Sequence, residues 1–88
     1  MGKSNAVPVG FDLMMQVGKA VWESFPAKTR ADLIILLQEG YRPNQIETAM
    51  RTIIERNHPD LPDFKHDELA GRYYMASMYA LKNNLHLN

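Results

Sequence analysis

The stretch LLQEGYRPNQIETAM, Leu36 to Met50, decides how the chain folds. An apolar run stops at Gly40, an aromatic and Pro43 follow, and apolar residues resume at helical spacing with Ile46, Ala49 and Met50. A glycine just past a helix supplies a left-handed C-cap, because it has no Cβ to crowd the backbone. A proline suits the first position of the next helix, where the missing N–H would have no partner anyway. Asn44 with Glu47 reads as a capping pair. The stretch is therefore two helices joined by a tight turn, a helix-turn-helix-like hairpin that extends over residues 29–57.

Upstream, Thr29 with Asp32 reads as a near-capping box that opens the first helix of the hairpin. Leu33 to Leu37 are consecutive aliphatics, which suits a short central helix buried nearly all round. A strand reading fails because no β partner exists elsewhere in the chain. Downstream, Ile46, Ala49, Met50, Ile53 and Ile54 make a stripe at the 3.6-residue period, and Glu47, Arg51 and Glu55 form an i, i+4 ladder on the other face. Before the hairpin, Phe11, Met14, Val21, Trp22 and Phe25 predict a helix from about Gly10 to Phe25. Gly18 in its middle costs about 1 kcal/mol against alanine, which close approach of a neighbouring helix would justify. After the hairpin, Asn57 to Pro62 form a connector, and a last helix runs from Asp63–His66 to about Lys82. Leu69, Tyr73, Ala76 and Ala80 form one of its stripes, and Ala70, Tyr74, Met78 and Leu81 a neighbouring one. A helix apolar over so much of its circumference has two partners to satisfy. The expected organisation is a flexible arm at residues 1–9, one helical domain at 10–84 and a frayed tail at 85–88. The fold class is all-α, a small single-domain bundle of four helices, with the first and last packed around the hairpin.

The bulk numbers agree. The chain has 88 residues, 45% apolar and 23% charged, which is globular composition. Ten basic and ten acidic residues cancel to a formal net charge of zero. A protein that binds nucleic acid through phosphates usually carries a basic surplus. No cysteine is present, so disulfides and thiolate chemistry are excluded and a reducing cytoplasm is the expected location. Asp12, Gln16 and Lys19 interrupt any signal-peptide core. Leu33–Leu37 is far short of the roughly 20 residues a membrane span needs. Ala6 stands where a myristoylation signal wants Ser or Thr.

Few residue groups suggest chemistry. Gly2-Lys3-Ser4 matches the end of a phosphate-binding loop but lacks its upstream glycine and strand. The segment HPDLPDFKHDE (His58 to Glu68) gathers His58, Asp60, Asp63 and His66, residue types that bind metals, yet its spacing fits no established ligand pattern. Asp63 as a helix cap and exposed histidines explain it, and no metal or other cofactor is expected. Ser24 and Ser77 have no organised histidine and acid around them, so the chain does not read as an enzyme. The segment RYYMASMYA (Arg72 to Ala80) holds three tyrosines and two methionines. These types are enriched at interface cores, and so small a domain cannot easily hide them all. Tyr74, Met75, Met78 and Tyr79 are the expected partner-binding residues.

The hairpin itself admits two readings. As a DNA-reading motif it would place Asn44, Gln45 and Thr48 at base edges and Arg42 and Arg51 at phosphates. Glu47 and Glu55 flank Arg51 and would repel the same polyanion. The stretch also resembles ubiquitin-associated domains, small three-helix bundles with a Met-Gly-Phe/Tyr loop and an Ala-Leu pair about eight residues later. Glu39-Gly40-Tyr41 and Ala49-Met50 reproduce that spacing over about fifteen residues. Glu39 departs from the pattern where the docking hydrophobe should stand, and so does the last helix behind its Pro-Asp connector. Both likenesses are of turn geometry. The leading expectation is a small non-catalytic binding protein, an adaptor, inhibitor or regulatory subunit acting on another protein or on a second copy of itself. The alternative is a helix-turn-helix DNA-binding transcriptional regulator. Neither a membrane nor a small-molecule substrate is expected.

Overall fold

The computed structural model describes residues 9–87, with only the backbone of Val9. Residues 1–8, most of the expected arm, lie outside the described residues, and Val9 already begins a helix. Among the described residues there are four helices and no strand: α1 Val9–Ser24, α2 Ala27–Gln38, α3 Pro43–Asn57 and α4 Asp63–Lys82. The fold is the all-α bundle of four helices that the periodicity predicts. None of these helices is long and apolar enough to cross a membrane.

The turn at Gly40 closes as its sequence requires. Glu39 is the C-cap, Gly40 takes φ +101°, its N–H bonds Leu37 O at 3.1 Å, and the Tyr41 N–H bonds Leu36 O at 3.0 Å. This pair of bonds is a Schellman motif, which satisfies carbonyls that the helix end leaves open. Pro43 then starts α3 behind Arg42 as N-cap, and the Arg42 N–H donates to Gln45 Oε1 at 2.8 Å. The expected Asn44–Glu47 cap does not form, because a proline at the first helical position puts the cap one residue before itself. Thr29 and Asp32 likewise do not open α2. Pro26 is the N-cap, and Asp32 reaches back one turn to Lys28 at 3.1 Å.

The helices assemble on α4. It meets α1 and α3 along extended seams and α2 more briefly. The buried centre comprises Trp22, Phe25, Leu33, Leu37, Ile46, Ala76 and Ala80. Small residues on α4 let its neighbours come close, and on α1 Gly18 does the same. A Cβ there would stand 2.8 Å from the Met75 carbonyl oxygen and 3.0 Å from Tyr79 Cβ. The glycine in the middle of α1 is therefore a contact point between two backbones.

Several finer expectations change. α2 is not buried all round: Leu33 and Leu37 face inward, while Ile35 is 49% exposed, because α2 touches the bundle along one side only. In α3 the inward row is Ile46, Met50 and Ile54, and Ala49 and Ile53 face solvent. The helix is turned so that Glu47 and Arg51 lie half-buried over α4. Arg51 pairs with Asp67 of α4 at 2.9 Å instead of serving a ladder within α3. In the first turn of α4, His66 is buried, not exposed, with Nε2 2.7 Å from the His58 carbonyl oxygen of the connector. Asp63 does not cap α4, since Pro62 holds that position.

The tail at 85–88 was expected to fray, and over its described residues 85–87 it folds back instead. Asn84 takes φ 57°, its N–H bonds Leu81 O at 3.1 Å, and the Leu85 N–H bonds Ala80 O at 2.9 Å, a second Schellman closure. Leu85 then packs on the core, and the Gln38 amide donates to the His86 carbonyl oxygen at 3.1 Å. Asparagine is the residue after glycine that best tolerates this backbone.

Two substitutions test these contacts by urea unfolding. Gly18→Ala gains about 1 kcal/mol of helix propensity but must push two backbones apart, so a net loss of about 1–2 kcal/mol is expected. Stability at or above wild type would mean that the α1–α4 approach is loose. His66→Ala removes the bond that ties the connector to α4 and should cost about 1–2 kcal/mol, with part of the loss recovered in His66→Gln. Equal stability of His66→Ala and wild type would dissociate that bond from the fold.

Candidate functional site

α1 and α4 run antiparallel. The Phe25 ring at the end of α1 lies 5.0 Å from that of Tyr73, and Arg72 donates to Ser24 Oγ at 2.9 Å. Beyond the tight contact at Gly18, towards the start of α1, the two helices leave an open groove of about 520 Å³. Phe11 and Met15 of α1 and Tyr79 of α4 give it an apolar floor, and Gln16, Lys19, Lys82 and Asn83 line its edges. Spacing explains the α1 side. Phe11, Met15 and Lys19 stand four residues apart on one edge of the helix, beside the inward row of Gly18 and Trp22. Lys82 sits in the last turn of α4, where a cation is favoured by the helix dipole. The Asn83 amide donates to the Tyr79 carbonyl oxygen at 2.9 Å, which holds the end of α4 in place.

The charges at this edge are unbalanced. Among the described residues, the ion pairs between amine or guanidinium and carboxylate are Lys28–Asp32, Arg51–Asp67 and Lys65–Glu68. Lys19 and Lys82 are in none of them, and no carboxylate of the described residues lines the groove. The groove thus offers apolar surface next to two exposed ammonium groups and two amides.

The structure divides the four expected partner-binding residues. Tyr79 lies in the groove with its Cβ against Gly18. Met75 presents its carbonyl to Gly18, beneath α1. Tyr74 and Met78 are half-buried and continue, by helical spacing, the line of Asp67 and Gly71 that faces α3. None of the four is fully exposed. The residues that sequence reasoning missed are Phe11, Met15, Gln16, Lys19, Lys82 and Asn83. Periodicity assigns an apolar residue to a face, but it does not say where two packed helices part.

The residues of the DNA-reading alternative are mostly occupied within the chain. Arg42 reaches back to the Gly40 and Leu37 carbonyl oxygens at 3.2 and 3.4 Å. Gln45 accepts the Arg42 N–H, the Thr48 hydroxyl donates to Asn44 O at 3.0 Å, and Arg51 holds Asp67. Asn44 alone keeps its side chain uncommitted among these five, and it is exposed. At the start of α4, His66 points inward with Nδ1 3.9 Å from Asp63 Oδ1, while His58 and Asp60 of the connector stay at the surface. No three histidine, aspartate or glutamate side chains among the described residues converge as a metal site would require.

No family profile, curated protein or solved structure matches this chain, so its function must be argued from its own geometry.

Proposed function

We propose that this chain is a small non-catalytic binding protein, an adaptor, inhibitor or regulatory subunit of the cytoplasm. It works by protein–protein contact at the groove between α1 and the C-terminal part of α4. The observation that carries this reading is the groove itself: partly exposed apolar surface from Phe11, Met15 and Tyr79 between two lysines that are in no ion pair among the described residues, on a molecule too small to waste apolar area. Of the tyrosine and methionine residues of α4, Tyr79 is the one placed to touch a partner. The balanced net charge and the absence of cysteine favour the same reading. The DNA-binding alternative has less support. Four of its five side chains would have to leave intramolecular bonds with backbone or carboxylate groups before reaching a base or phosphate.

Two measurements separate these readings. In a pull-down from lysate of the source cell, wild type should retain a protein that Phe11→Asp loses, with the melting temperature of the variant within about 2 °C of wild type. Retention by both proteins would remove the groove from the reading. An anisotropy titration with mixed duplex DNA at low salt should show no saturable binding. Binding that falls steeply as salt rises would instead establish the DNA alternative.

A further inference from the structure

Building on the protein-binding reading of the groove, we infer that its occupant is an acidic amphipathic segment of another protein, one that sets an apolar side chain beside at least two carboxylates. The floor of Phe11, Met15 and Tyr79 would take the apolar side chain, and Lys19 and Lys82 at the edge would take the carboxylates. Charge decides this assignment. Both lysines are exposed, and among the described residues neither is ion-paired and no acid lines the groove. Asp12 and Glu23 flank Lys19 along α1 without pairing with it.

A basic segment would bring like charges together, which is costly at an interface, while a neutral one would leave two ammonium groups beside an apolar contact. A second copy of this chain is a poor occupant for the same reason. A two-fold pairing of groove on groove would bring four lysines together. An acidic segment removes the mismatch and gains from it, through faster encounter and charge-assisted hydrogen bonds at its flanks.

The test is selection of a random peptide display library on the full-length chain, followed by anisotropy with the enriched peptides. Enriched sequences should carry an excess of Asp and Glu around one or two apolar residues. Their affinity should fall at least about tenfold in the double variant Lys19→Glu/Lys82→Glu and severalfold as salt rises from about 0.05 to 0.5 M. Both lysines are exposed, so the variant should melt like wild type. Peptides whose binding is lost in Phe11→Asp but which are not acidic, or ignore the lysine reversal, would overturn the acidic assignment and leave the groove reading intact. Peptides that ignore Phe11→Asp, or no enrichment at all, would overturn both. Concentration-dependent dimerisation abolished by Phe11→Asp would make a second copy the occupant and likewise overturn the proposal.

Discussion

Everything in this molecule leans on α4. Its 20 residues span about 30 Å, and it is the one helix with extended seams to both α1 and α3. From Leu69 to Leu81 only Arg72 is exposed. Such a helix must be apolar nearly all round, yet small wherever a neighbour's backbone approaches. Ala70, Ala76, Ser77 and Ala80 meet the second demand, and half-buried tyrosines and methionines between them meet the first. A helix enclosed on several sides also risks stranding polar groups. Ser77 Oγ is buried without a protein partner, a cost of about 1–3 kcal/mol that the surrounding packing must offset.

The two long seams are stabilised differently. α1 approaches by removing a side chain: at Gly18 backbone meets backbone, and aromatic contact between Phe25 and Tyr73 extends the seam at its far end. α3 approaches by turning charged residues towards the seam. Arg51 bridges to Asp67, and the Glu47 carboxylate lies beside Gly71. The ion pair is partly exposed, so its own contribution is modest, at most about 1 kcal/mol. It accompanies a rotation of α3 that burial of Ile46, Met50 and Ile54 favours, with Ala49 and Ile53 left at the surface. α2 depends mostly on Leu33 and Leu37 and on closures at its ends, including the bond from Gln38 to the tail.

The groove is a consequence of the first seam. Helices drawn together at one glycine cannot remain equally close over their whole length when bulky residues stand further along. Phe11 and Met15 on one side and Tyr79 and Lys82 on the other therefore face open space. Lys19 within α1 and Lys82 and Asn83 at the end of α4 supply its edges, so an apolar floor occurs beside two ammonium groups that are in no ion pair among the described residues. The opposite holds at the hairpin, where cap and turn bonds hold Arg42 and Gln45 and an ion pair to α4 holds Arg51.

The sequence by itself determined the number, type and approximate limits of the helices, the glycine turn at Gly40, the proline start of α3 and the need for a close contact at Gly18. These depend on interactions within a few residues, or on a periodicity that any core would demand. It also marked the Tyr/Met segment as more apolar than one face can use. Only the tertiary structure decided which faces those residues meet. α4 turned out to satisfy two neighbours within its own chain, so Tyr74, Met75 and Met78 serve seams and Tyr79 alone reaches the groove. The rotation of α3, the inward turn of His66 and the docking of Leu85 follow the same rule. Each is settled by a partner distant in sequence or by a shared helix end, and helical spacing carries no information about where two axes cross or part.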